Sequence, residues 1–236
     1  MCNVLLRQLQ GTAAPPKGRI FRLYGGDRSS LGHMLFACFA VLSEEEFMEA
    51  KRCGWAKDPL LIEYHDIEWG VPLHDDNRLF EMIVLESMQS GLSWITILRK
   101  REAFHAAFSG FDPRKVAKFG PKNIDKLLVN PGIVRNRAKL EAAIGNAKAT
   151  LKVQKAYGSL DSFLWKLVDG KPVINHWTDS GQIPAKTAIS ERLSKELKAQ
   201  GFQFVGPTVA YALMQAIGMV NDHETSCDRH KLLAGA

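Results

Sequence analysis

Between Lys51 and Ile217 nearly every apolar pattern in this chain repeats with helical spacing, and no stretch alternates long enough to build a sheet. Asp75-Asp76 can cap a helix whose apolar stripe is Leu79, Phe80, Met82, Ile83 and Leu85. Gly91 interrupts it, and a second helix runs from Ser93 to about Phe108. Asp112-Pro113 opens a third that ends near Gly120, and 122–129 is a short helix stopped by Asn130-Pro131-Gly132. A long helix over 134–156 follows, then Ser159–Val168, a loop from Gly170 to Ser180, a helix over 187–200, and a final one from Gly206-Pro207 to Ile217. Phe202–Val205 is too short to form a sheet. The fold class is all-α.

The first 47 residues read differently, with Ala13-Ala14-Pro15-Pro16, Gly25-Gly26, Ser29-Ser30 and no sustained period. The apolar stretch Leu31–Leu42 is followed by Glu44-Glu45-Glu46 rather than by a small-residue cleavage site, so it does not read as a signal peptide. We expect 1–47 to be a poorly packed extension, with Met48 a candidate initiator, and 48–236 to be one domain. No apolar run approaches the ~20 residues that cross a bilayer. A 46% hydrophobic and 24% charged composition excludes a wholly disordered, collagenous or coiled-coil chain. The net charge of +6 favours an anionic partner such as nucleic acid. Four scattered cysteines (Cys2, Cys38, Cys53, Cys227) make no disulfide framework and suit a reducing, cytoplasmic compartment.

Four constellations carry possible chemistry. Cys53, His65, His223 and Cys227 are zinc-type ligands, the last two one helical turn apart and the first two expected from a loop at the other end of the domain. The competing reading is a buried apolar cysteine and a surface histidine. A full four-ligand site would be structural and would staple the chain ends together. Glu86 falls beside the apolar stripe, where a carboxylate either turns outward or lines a pocket for a cationic or hydrogen-bond-donating ligand. Trp55, Tyr64, Trp69 and Trp94 are either core or the walls of a site for a flat heterocycle. Finally, Leu127–Arg137 reads as helix, tight turn, helix, with Arg135 and Arg137 in the new first turn and Lys139 just beyond. Its free amides can hold a phosphate, or it is an αα-hairpin with a solvated basic face.

A resemblance narrows these choices. Lys51-Arg52-Cys53-Gly54-Trp55, Tyr64-His65-Asp66, Glu68-Trp69-Gly70-Val71-Pro72, Leu79-Phe80-Glu81-Met82-Ile83 and Gly91-Leu92-Ser93-Trp94-Ile95 resemble the bacterial 3-methyladenine DNA glycosylase I family. Gly132-Ile133-x-Arg135, Gly201-Phe202-x-Phe204-Val205-Gly206 and Asn221-Asp222-His223 with Cys227 continue the likeness in the same order. It implies a helix-hairpin-helix glycosylase fold and a structural Zn2+ on Cys53, His65, His223 and Cys227. It also implies that Glu86 recognises the base with Tyr64 and Trp94, that Trp55 and Trp69 lie near the pocket, and that Leu92 probes the duplex. Gly132, Ile133, Arg135 and Arg137 would contact DNA. Neither 1–47 nor the tail after Cys227 matches the family pattern, and His230 in that tail is a rival ligand.

The activity so implied is excision of 3-methyladenine from alkylated duplex DNA by a monomer. Alkylation at N3 makes the adenine cationic and a good leaving group, so selective binding can do much of the catalysis. Between Gly132 and Lys155 there is no Asp, only Glu141, in keeping with such a labile substrate. A non-catalytic DNA-binding module and a metallohydrolase with an open zinc position are the rival classes. Joint presence of Glu86, Tyr64 and Trp94 argues against the first, and the complete ligand set against the second.

Overall fold

A computed structural model describes residues 50–235; the extension expected over 1–47 lies outside them. In chain order the helices are α1 (Pro59–Ile67), α2 (Asp76–Gln89), α3 (Trp94–Ala107), α4 (Pro113–Val116), α5 (Pro121–Leu128), α6 (Arg137–Tyr157), α7 (Leu160–Trp165), α8 (Ala188–Gln200), α9 (Pro207–Ala216) and α10 (Asp228–Ala234). The architecture is mostly helical, as the periodicity predicts.

Helix α2 is the axle. Every residue from Leu79 to Met88 is buried, and it packs against α3, α6, α7 and α9. Over that stretch the helix is enclosed on all sides, so Glu81, Glu86 and Ser87 are buried together with its apolar residues. Phe80, Phe104, Phe108, Phe111 and Phe163 fill the space around it; each such side chain contributes roughly 1.5–3 kcal/mol on burial. Long α6 carries α4, α5 and α7 on its surface, while α8 and α9 pack against each other.

Several boundaries and elements differ from the sequence reading, each for a local reason. Helix α1 stands where the sequence pattern predicts a loop; Asp58 caps it by accepting from Leu60 N, and Pro59 starts it, a Pro-at-N1 signal that a nine-residue helix carries without a long stripe. The helix expected to run from Asp112-Pro113 to Gly120 stops at Val116. Helix α6 begins at Arg137 rather than 134, because the Asn136 side chain takes the Lys139 amide and sets the cap there. The 170–180 loop contains a two-residue strand β1 (Val173–Ile174) paired in parallel with β2 (Val220–Asn221). The stretch was too short for alternation to register. The tail after Cys227, which the sequence left without structure, forms α10 and buries His230.

The two ends of the described chain meet. Lys51 N donates to Asp228 Oδ2 at 2.9 Å, and Asp228 N donates back to Lys51 O at 3.0 Å.

Candidate active site and metal cluster

The structure brings Cys53, His65, His223 and Cys227 together, all buried, with their ligand atoms within 4.8 Å of one another. His65 Nε2 lies 3.2 Å from His223 Nδ1 and 3.5 Å from Cys227 Sγ. His223 Nδ1 lies 3.6 Å from Cys53 Sγ and 3.7 Å from Cys227 Sγ. A tetrahedral ion with bonds of about 2.3 Å to sulfur and about 2.05 Å to nitrogen has N–N edges of about 3.3 Å and N–S edges of about 3.6 Å. The four groups therefore have the size, chemistry and burial to hold a metal ion.

Both imidazoles are oriented from behind. His65 Nδ1 pairs with Asp66 Oδ1 at 2.7 Å, itself held by Arg52, and His223 Nε2 meets the Trp69 carbonyl at 3.0 Å. Such partners fix the ring and the tautomer of a ligating histidine. The closeness of the two sulfurs holds Cys227 toward the thiolate and Cys53 toward the thiol.

Local structure here corrects the sequence reading twice. His65 sits on α1, not in a loop. His223 and Cys227 are joined by a turn closed by Cys227 N to Glu224 O at 2.8 Å, not by a helical turn. That segment is anchored by Asp222, whose buried carboxylate accepts from Asn175 Nδ2, Trp177 Nε1, Tyr211 Oη and Gln215 Nε2 at 2.6–2.8 Å. His230 is outside the cluster; its Nε2 meets the Asn175 carbonyl at 2.8 Å.

A second site lies next to the cluster, on the last turns of α1 and α2 and the start of α3. Glu86 is only 5% exposed, and no hydrogen bond among the described residues reaches its carboxyl. Burial alone pushes that carboxyl up to about 8. Tyr64 is buried beside it; desolvation first, then the Glu86 charge, raises the phenol well above its usual range. The Tyr64 and Trp94 rings stand 5.3 Å apart at 54°, and Trp94 Nε1 is a buried donor without a partner. Two aromatic faces, one orphaned donor and one unpartnered carboxyl thus converge. Trp55 and Trp69 are placed one step away, edge-on to each other at 5.0 Å and against the rings of His65 and His223.

The three pocket elements are knotted together by groups the sequence reading did not single out. Arg101 on α3 donates to Glu81 on α2 at 2.7 Å and to both oxygens of Glu68, at the end of α1, at 2.7 and 2.8 Å. Glu81 was recognisable as a second carboxylate on the buried α2, which requires a cationic partner.

Leu92 stands 41% exposed on the turn between α2 and α3, where Gly91 adopts φ +81°. Across from it, Val129–Asn136 links α5 to α6 as a tight hairpin. Gly132 is pressed against α3 so closely that a Cβ would meet Ala103 Cβ at 2.8 Å, and Ile133 is buried beneath. Asn130 Oδ1 accepts from Gly132 N at 2.8 Å, and Lys100 Nζ donates to Pro131 O at 3.0 Å. Arg135 is exposed just before the α6 cap, not in its first turn. Arg137 is shared between Asp125 at 3.3 Å and Glu141 at 3.5 Å. Glu141, the one carboxylate in this part of α6, is therefore on the solvated side. Lys139, read from sequence as part of the basic face, is instead turned inward and 8% exposed.

Comparison with known proteins gives the family of the chain. The family model described as methyladenine glycosylase matches residues 55–230. DNA-3-methyladenine glycosylase 1 of Escherichia coli (strain K12) is 48% identical over 178 residues, covering 75% of this chain and 95% of that protein. A crystal structure of 3-methyladenine DNA glycosylase I superposes with a TM-score of 0.74 at 49% identity, covering 75% of this chain and 98% of the other. A variant of 3-methyladenine DNA glycosylase I in complex with 3-methyladenine superposes with a TM-score of 0.72 at 41% identity, covering 73% of this chain and 92% of the other. With half of the aligned positions identical and the relatives covered almost end to end, the chain belongs to the methyladenine glycosylase family.

Proposed function

We propose that this chain removes 3-methyladenine from alkylated duplex DNA, turning the base out of the stack into the Tyr64–Glu86–Trp94 pocket and hydrolysing its N-glycosidic bond. The observation that carries the reading is Glu86: a buried, unpartnered carboxyl walled by aromatic rings. Burial favours its neutral form. A cationic base restores what burial removed, since an adjacent positive charge makes ionisation favourable again. A neutral purine offers no such compensation. Glu86 then accepts hydrogen bonds from the base while Trp94 and Tyr64 stack on its faces. The substrate arrives with its leaving group already activated, so these contacts act where the charge is, and no strong catalytic carboxylate on α6 is required.

Leu92 is the probe that enters the stack, with Trp55 and Trp69 completing the floor near the pocket. The Gly132–Arg135 hairpin and Arg137 hold the backbone in the manner of a helix-hairpin-helix protein, through amides and charge rather than base edges. Residues 48–236 form the working domain, with 1–47 an extension to it, and the protein acts as a monomer. Zinc on Cys53, His65, His223 and Cys227 fits the donor set and the measured edges. Four protein ligands leave no position for water, so the ion would be structural.

Release of base from methylated duplex DNA tests the reading, with 3-methyladenine and 7-methylguanine quantified separately. Preferential appearance of 3-methyladenine is the expected result. Binding of duplex without any base release would instead identify a non-catalytic module.

A further inference from the structure

Lys139 is the buried cation the proposed chemistry does not use. It lies on the first turns of α6, directly after the hairpin, and its ammonium is turned back into the protein. Its Nζ donates to Met88 O at 2.9 Å and to Ser90 O at 2.7 Å. These carbonyls belong to the end of α2, where helical acceptors have no partners of their own. No carboxylate pairs with Lys139 among the described residues, so the negative end of the α2 dipole is what it faces. Taking an ammonium out of water is costly unless it is hydrogen-bonded, and the two carbonyls supply those bonds.

What it fixes is the turn that carries Leu92. Ser90 is the last residue before Gly91, a glycine at φ +81° whose missing side chain would touch nothing within 4 Å. The turn therefore owes its shape to backbone conformation and to whatever grips its ends. One end continues into α3, which Lys100 and Gly132 bind to the hairpin. The other end is gripped by Lys139 alone among the ammonium and guanidinium groups of the described residues. Ser87 Oγ donates to Ile83 O at 2.7 Å within the helix and approaches Phe204 O at 3.3 Å, contacts that do not reach the turn.

We propose that Lys139 is a positioning residue: it ties the Ser90–Leu92 turn to the helix that follows the DNA-gripping hairpin, so that backbone capture and base extrusion occur in register. This rests on the reading of Leu92 as the duplex probe. It predicts a defect confined to paired substrate, since an unpaired base needs no extrusion.

The test compares Lys139→Met, Lys139→Arg, Leu92→Ala and the Lys139→Met/Leu92→Ala double variant. Each is assayed by single-turnover release of 3-methyladenine from methylated duplex and from methylated single strands, with free 3-methyladenine titrated into each protein. Lys139→Met is expected to slow release from duplex roughly 10- to 100-fold but from single strands less than about 3-fold, with free-base affinity unchanged. Lys139→Arg, which can still bridge two carbonyls, should recover part of the rate. The double variant should be no slower than the slower single one, as befits residues acting through one turn. Equal losses on both substrates, or a loss of free-base affinity, would assign Lys139 a general structural role and overturn the proposal. A wild-type duplex rate for Lys139→Met beside a slow Leu92→Ala would overturn it while leaving the probe intact. A wild-type rate for Leu92→Ala would instead remove the probe reading. If Lys139→Met fails to fold, the duplex-to-single-strand ratio of Lys139→Arg decides: a ratio equal to wild type together with a slowed rate rejects the proposal.

Discussion

Glu86 stores a cost of burial. An ordinary glutamate ionises near 4.5, whereas this one is pushed up to about 8 by burial. Between those two values the folded protein holds a proton that the unfolded chain has released, so stability falls as pH rises from about 4.5 and levels above about 8. Glu86→Gln cannot ionise and escapes the penalty. It should melt higher than the parent at pH 8.5, by an amount on the order of 2–5 kcal/mol, with the gain shrinking toward pH 5. Calorimetric melts at the two pH values check this; an identical difference at both would mean the carboxyl is not desolvated. The same substitution removes the negative charge that meets a cationic base. Since a charged hydrogen bond is worth about 1.5–3 kcal/mol, single-turnover excision should slow roughly 10- to 100-fold while affinity for undamaged duplex stays put. A wild-type rate would end the pocket assignment. The residue's position on the stripe was legible in sequence from its spacing to Leu79 and Ile83. Its lack of any partner was not, because that depends on what α1 and α3 place opposite it.

At the scale of elements, the hairpin and its flanking helices show which signals survive translation from sequence. Asn130-Pro131-Gly132 stops α5 where the turn residues say it must, and long periodic stripes located α2, α3, α6, α8 and α9. Short elements escaped, since α1 and the β1–β2 pair are defined by one cap or one long-range pairing rather than by a repeat. Lys139 and Arg137 are two residues apart, yet one is buried and the other solvated. A charge pattern alone cannot separate them, and the Asn136 cap does, by fixing the helical phase. Arg135, exposed ahead of the cap, remains available to a phosphate. Arg135→Ala should weaken damaged and undamaged duplex about equally and reduce the salt slope of binding by about one ion. Fluorescence anisotropy across a salt series measures both; a loss restricted to lesion-bearing duplex would move Arg135 into the base site.

For the whole molecule, the Cys/His cluster joins segments that are distant in sequence and supports the floor on which Trp55 and Trp69 rest. One zinc per chain is expected by elemental analysis of protein purified without chelator. Cys227→Ser should lose that metal and several degrees of thermal stability, with free 3-methyladenine binding retained below the new midpoint. Metal-free protein of unchanged stability would show the cluster to be a plain buried hydrogen-bonded group. The ligand set was readable as residue types, and its assembly required the Asp222 anchor and the Glu224–Cys227 turn, neither of which has a local sequence signal.

The reciprocal Lys51–Asp228 pair closes the described residues almost into a ring. Domains ordinarily begin to come apart by fraying at a loose end. Here the segments around Lys51 and Asp228 hold each other, so neither can peel away without releasing its counterpart. Within the described residues, opening must then start at an internal loop or take both of these segments at once.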